Sequence, residues 1–410
     1  MTQTLAEKPI GTLDAFQSTN FRVYFVGQLI SISGTWMQNL AQGYLVFQLT
    51  KSEAWLGIVA CAAGLPILLM SPIAGVIVER FPRKHLMYFT TSTQMLLAFT
   101  FAALTFSQVL QVWHIVGLAL LLGMTNALDV PARWTFVSEV VGTEQLKSGI
   151  ALNSILNSSG RVLGPMVAGL VLVRFGPALC FLLNGFSFFA VILSLTLMKV
   201  PFAIPPSRTA NPIQQLREGF RFVRNDRLIR TLLLLSGVGG AFVIPLIQLM
   251  PAFADRVLNS PDEGYAALAV AQGVGSVTAG VLISMLLARF GYQKLIPFTI
   301  VMASLGTVFL AIQVTISAAI VAGFLVGLFM ILQFIAVNTI LQLTVPNAFR
   351  GRVLALYTLS FTGVAPFGAL VMGLLANVTS TPFALAVFGV TGGVVGLGIW
   401  IAYQKEKVKG

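Results

Sequence analysis

Apolar residues fill this chain in long unbroken stretches, separated by short segments where charge and proline gather. The first six stretches fall at about 21–48, 54–78, 86–107, 112–135, 149–173 and 177–199. Six more fall at about 229–250, 264–288, 295–316, 318–344, 353–377 and 381–403. Each is long enough to cross a hydrocarbon core of about 30 Å, which takes roughly 20 helical residues. None shows the alternation over about ten residues that a membrane barrel strand requires. The pattern predicts an all-α membrane protein with twelve transmembrane helices.

Composition sharpens this. Of 410 residues, 57% are hydrophobic and 9% charged, whereas a soluble domain carries about 25% charged residues to keep its surface in water. The formal charge of +12 does not point to nucleic acid, because the basic residues sit in short loops rather than on one continuous face. Cys61 and Cys180 both fall inside apolar runs, so no disulfide framework is expected. The polar first twenty residues and the long first run do not fit a cleavable signal peptide.

Lys and Arg are retained on the cytoplasmic side of spanning helices. With the N-terminus inside, 20 of the 25 basic residues are cytoplasmic, from Lys8 and Arg22 to Lys405, Lys407 and Lys409. Only Lys51, Arg174 and Arg256 fall outside, and Arg133 and Arg161 lie within spans. Both termini are therefore expected in the cytoplasm. The one long connection divides the chain into 1–200, a linker 201–228, and 229–410. Its stretch from Pro201 to Pro212 cannot hold a regular helix. Asn211 and Pro212 then read as a helix start, followed by Ile213, Leu216, Phe220 and Val223 at helical spacing. With Arg217, Arg221 and Arg224 elsewhere on it, this amphipathic helix either lies on the inner leaflet, held by anionic lipid, or is a solvated connector. Gly149 to Pro165 and Gly351 to Pro366 echo one another across the halves. Two pseudo-symmetric six-helix halves place a substrate site between them near the bilayer midplane.

Catalytic motifs are missing. There is no G-x-x-x-x-G-K-[ST], no H-E-x-x-H and no G-x-S-x-G, and His85 and His114 lie at span ends. No enzyme activity, metal or cofactor is expected. Membrane charges carry the remaining chemistry. Asp129 is the one acid inside a predicted span, at a cost of roughly 2.5–3.5 kcal/mol near the bilayer centre. Arg133 follows one turn later on the same face and can pair with it. Asp129 reads as part of a gating network, and burial would also suit it to carry a proton. In the fifth span, Asn153, Asn157 and Arg161 share one face, beside a small-residue face at Gly160, Gly164 and Ala168. Arg161 lies about 18 Å along that helix, near the midplane, as a substrate or gating contact or an interhelical hydrogen bond. Gln38, Gln42, Gln248, Gln272, Gln333 and Asn338 could face the same cavity or serve as packing contacts.

Several of these segments resemble the major facilitator superfamily. Gly75 through Glu79-Arg80-Phe81-Pro82-Arg83-Lys84 is similar to its signature loop G-x-x-x-D-[RK]-x-G-[RK]-[RK], with Glu79 and Pro82 as departures. That likeness implies a latch of Glu79, Arg80 and Arg83, with Asp129 and Arg133 expected at the same depth. Gly164-Pro165-x-x-x-Gly169, preceded by Gly160, resembles the antiporter motif G-P-x-x-G-G. Asp129-x-Pro131-x-Arg133, Ala151-Leu-Asn153 and Arg161-Val-Leu-Gly164-Pro165 resemble the enterobactin-exporter-like branch, also called transmembrane secretion effectors. The likeness runs from Phe21 to Tyr403. It implies the major facilitator fold, in a bacterial cytoplasmic (inner) membrane. It also implies a proton-driven exporter of siderophores, macrolides and other amphipathic compounds, cycling between inward- and outward-open forms. Its partners would be a small-molecule substrate, protons and membrane lipids, with a monomer expected. The first span lacks the acid that several multidrug exporters of the superfamily carry. Uptake or lipid translocation is the alternative, and a non-transporting scaffold would leave Asp129 and Arg161 unexplained.

Overall fold

In a bilayer every backbone polar group must be bonded within the protein, by helices or by a closed barrel, and long apolar runs without strand alternation do this as helices. The computed structural model describes residues 13–142, 145–199 and 212–409. The first part comprises α1 (Thr19–Thr50), α2 (Glu53–Arg80), α3 (Arg83–Phe106), α4 (Val112–Val141), α5 (Leu146–Phe175) and α6 (Pro177–Leu197). After the linker come α7 (Pro212–Asn225), α8 (Arg227–Val238), α9 (Leu246–Arg256), α10 (Glu263–Ala311) and α11 (Ile316–Thr344). α12 (Asn347–Thr358), α13 (Ala365–Val378) and α14 (Thr381–Lys409) complete the chain. Among the described residues there is no strand.

Among the described residues, ten helical segments are long and apolar enough to cross a membrane. One of them, α10, has 49 residues and is two helices joined at Gly291, whose φ of 68° and ψ of 161° lie in a region open essentially to glycine alone. α1 is 32 residues long but too polar on average to be among the ten. Splitting α10 and adding α1 accommodates the expected twelve passes.

α1 packs on α5 and α6, α2 on α4, and α3 on α4 and α6. After the linker, α10 packs on α11 and α14. The two most extensive contacts between the sets are α2 against α13 and α5 against α10. Both are close because of glycine. A Cβ on Gly64 would stand 2.0 Å from Pro366, and one on Gly273 would stand 2.7 Å from the Arg161 carbonyl. The outer surface is apolar, with Leu96, Trp113, Phe186 and Val281 all more than half exposed.

Two irregularities were not expected from the periodicity. A π-helical turn, Gly239–Val243, joins α8 to α9, and another, Leu359–Gly363, joins α12 to α13. They abut, with Gly240 against the Phe361 backbone. Gln333 of α11 donates to the Leu235 carbonyl just before the first turn, at 3.2 Å.

The proline-rich part of the linker, Arg208 and the Asn211 cap lie outside the described residues, as do the side chains of Ile213 and Leu216. The rest of α7 departs from the expected stripe. It turns Gly219, Phe222 and Val223 toward the protein, while Phe220 is exposed. Phe222 stacks on Phe349 at 4.5 Å and 9°, and Glu218 pairs with Arg352 at 2.8 Å. The helix is docked on α12, because a flat aromatic stack needs Phe222 rather than Phe220 on the buried face. Phe220, Arg217, Arg221 and Arg224 remain on the free side.

Candidate functional site

Polar side chains of α1, α3, α4, α5 and α6 converge on a cavity of about 220 Å³ inside the first six helices. The stripe on α1 supplies Gln28, Ser31, Thr35, Gln38 and Gln42, and α4 supplies Asn126, Asp129 and Arg133. Asp129 is 3% exposed. Its Oδ2 pairs with Arg133 Nε at 2.8 Å, and its Oδ1 accepts from the Thr90 hydroxyl at 2.8 Å. Arg133 also donates to Gln28 Oε1 at 3.4 Å. The carboxylate thus has one charge partner and one hydroxyl, and it borders the cavity. Around it the amides are paired across helices: Gln94 donates to Asn126 at 3.0 Å, and Asn184 donates to Gln38 at 2.7 Å. Such interhelical bonds contribute about 0.6 kcal/mol each in membranes. Their larger effect is to set the shape of the cavity.

The expected residues divide. Gln38, Gln42 and Asn157 line the cavity with Asp129 and Arg133. Asn153 is buried, and its carbonyl accepts from Asn157 at 2.8 Å. Gln248, Gln272, Gln333 and Asn338 belong to the second six-helix set and do not line it. Gln333 serves a backbone carbonyl, and Asn338 accepts from Gln342 at 2.5 Å. Arg161 stacks over the Trp36 ring at 5.5 Å, and Trp36 lines the cavity. Gly160 fits against Ile32 and Gly164 against Trp36, both on α1, whereas Gly169 meets Ala266 of α10. Pro165 lies inside α5. The motif is therefore a close-packing surface that faces both α1 and α10.

The expected single network of Glu79, Arg80, Arg83, Asp129 and Arg133 is two networks. Arg83 pairs with Glu139, at the end of α4, about 15 Å along the helix from Asp129. Arg80 is exposed at the end of α2, and the Glu79 side chain lies outside the described residues. Glu139, and not Asp129, is the acid of α4 that reaches Arg83.

A third group went unnoticed in the sequence. At the end of the molecule opposite the basic loops, Glu53 is fully buried, with Arg256 of α9 at 3.1 Å and Thr381 of α14 donating at 2.8 Å. Lys51 pairs with Asp255 at 3.1 Å, and Ser52 donates to Asn377 at 2.7 Å. These contacts clasp the two helix sets together. Each residue sits at a helix end, where a charge looks like ordinary loop. The available signal was the pairing of acids with bases on a face otherwise almost without charge.

Solved structures define the class. The chain superimposes on the nucleoside transporter NupG with a TM-score of 0.77 at 14% identity, covering 94% of this chain and 99% of that one. A bacterial homologue of the human lysosomal transporter Spinster, solved inward-facing and unoccupied, gives 0.73 at 13% identity over 95% and 97% of the two chains. The fold is that of major facilitator transporters. Within that class, the chain belongs to the transmembrane secretion effector family, whose model matches residues 10–404. It is 23% identical to the Staphyloferrin A transporter of Staphylococcus aureus, over 95% of this chain and 97% of that protein. It is 27% identical to the enterobactin exporter EntS of Shigella flexneri, over 90% of each. The protein is a multi-pass membrane transporter and not an enzyme.

Proposed function

We propose that this transporter is a proton-coupled exporter of amphipathic, siderophore-like small molecules, working by alternating access between the halves 1–200 and 229–410. The observation that carries the reading is Asp129. It is a buried acid bordering a polar cavity, and its Arg133 partner lies on the same helix. Gaining a proton would release Arg133 without breaking a contact between halves, so charge and shape can change together at one place. The clasp at Glu53 and Arg256 is the contact that must open for substrate to leave on that side. At about 220 Å³ the cavity is smaller than the roughly 300–1,000 Å³ of sites for drug-sized ligands. A whole substrate therefore requires the halves to move. The names of the relatives support a siderophore-like cargo, and the distribution of Lys and Arg supports cytoplasmic termini in a bacterial cytoplasmic membrane. The free basic side of α7 supports contact with anionic lipid, and the chain is expected to work as a monomer.

The test is efflux of dyes, macrolides and siderophores from proteoliposomes under an imposed pH gradient, with Asp129→Asn as the comparison. Gradient-dependent movement in the parent that is lost in the variant supports the reading. Unchanged movement in Asp129→Asn removes Asp129 as the proton carrier, and movement indifferent to the gradient removes proton coupling.

A further inference from the structure

A guanidinium at mid-membrane needs an anion, and four arginines of the chain are paired with one. Arg133 has Asp129, Arg83 has Glu139, Arg256 has Glu53 and Arg352 has Glu218. Arg161 differs. Among the described residues its guanidinium has no hydrogen-bond or ion-pair partner, and its one contact of this kind is the face of Trp36. A cation–π contact is worth about 0.5–2 kcal/mol, less than the roughly 2.5–3.5 kcal/mol that an arginine costs near the bilayer centre. The contact alone leaves the charge uncompensated.

Its location explains what could compensate it. Asn157, one turn earlier on α5, lines the cavity, and so does the Trp36 ring beneath the guanidinium. On the other side the Arg161 backbone touches Gly273 of α10. Arg161 itself is not among the residues that line the cavity; it stands behind Trp36, at the boundary between the two halves, and is partly accessible. Asp129, the acid of this cavity, is already paired. We infer that Arg161 and Trp36 form a subsite for the anionic head of an amphipathic substrate. The guanidinium takes a carboxylate or phenolate through its paired N–H donors, and the indole face takes the adjoining ring or alkyl body. The present cavity holds one such ring-bearing group and not a complete drug-sized molecule. This assignment rests on the export reading for its biological sense, though its chemistry can be tested without transport.

The test uses naphthalene-2-carboxylate and naphthalene-2-carboxamide, a pair of the same shape that differs in charge. Binding is read by tryptophan quenching with the protein in lipid nanodiscs, for the parent, Arg161→Ala, Arg161→Lys and Trp36→Phe. The parent should bind the carboxylate about tenfold more tightly than the amide, as expected for one charge-assisted contact. Arg161→Ala should bring the two within about twofold by weakening the carboxylate alone, and Arg161→Lys should keep part of the preference. Trp36→Phe should weaken both probes and remove most of the quenching. No preference in the parent, or a full preference in folded Arg161→Ala, overturns the subsite. If Arg161→Ala does not fold, the lysine variant decides: loss of the fork should cut the preference, and an unchanged one overturns the proposal. Because binding is measured without a gradient, a preference present without gradient-driven efflux would sink the export reading and keep the subsite. Efflux without preference would do the reverse.

Discussion

The first and second six-helix sets share a plan and treat buried polarity in opposite ways. In the first, Gln28, Gln38, Gln94, Asn126 and Asn184 meet across helices around one cavity, and the acid Asp129 borders it. In the second, Gln333 is committed to a backbone carbonyl, and Gln272 Nε2 has no partner among the described residues. Both π-helical turns among the described residues, by contrast, lie in the second set, where they abut. Gln333 adds a side-chain donor to the Leu235 carbonyl just before the first of them, a carbonyl that also accepts from the Gly239 N–H. Similar amides in similar spans thus serve different ends, shaping a cavity in one half and stabilising bent helices in the other.

The sharpest way to break this comparison is to change one polar residue in each half. Asp129→Asn should lower gradient-driven efflux by at least about tenfold, as loss of a functional intramembrane acid does. Gln333→Leu should change it by less than about twofold while lowering thermal stability, since the Leu235 carbonyl loses a donor. A Gln333→Leu variant that stops transport without unfolding would show that the second half shares the chemistry.

Packing can be compared next. A Cβ on Gly123 would stand 2.2 Å from the Ala63 carbonyl, and one on Gly240 would stand 2.2 Å from the Phe361 carbonyl. Gly123→Ala and Gly240→Ala should each destabilise by about 1–3 kcal/mol in thermal melts. Gly117→Ala, which meets nothing, should be neutral or slightly stabilising through helix propensity.

The clasp between halves offers a graded case. A double-mutant cycle on Glu53→Gln and Arg256→Gln should give a coupling of about 0.5–3 kcal/mol, because Glu53 is fully buried. The Lys51–Asp255 pair, with Lys51 53% exposed, should give less than about 1 kcal/mol. Smallest of all, Phe222→Ala should loosen α7 by about 0.5–1.5 kcal/mol through loss of its stack on Phe349, seen as faster proteolysis of the linker.

Legibility in the sequence followed the range of the interaction. The spans were readable because apolar length is a local property, and Asp129 with Arg133 was readable because a four-residue spacing puts two side chains together on any helix. Thr90, Gln28 and Asn184 were not, since their partners come from other helices. Arg83 was matched to the wrong depth because loops do not reveal how far a neighbouring helix runs; Glu139 is its partner. Phe220 looked buried on periodicity, yet the docking surface of α12 turned Phe222 inward instead. The clasp at Glu53 stayed hidden because it forms only when both halves are in place.

The most direct test of coupling through Asp129 measures proton flux and substrate movement together in proteoliposomes holding a pH-sensitive dye. Substrate should evoke proton movement in the parent. Asp129→Asn should abolish that movement while still exchanging substrate down its own gradient. Substrate-evoked proton movement persisting in Asp129→Asn would contradict the assignment, and would place the coupling site outside the first-half cavity.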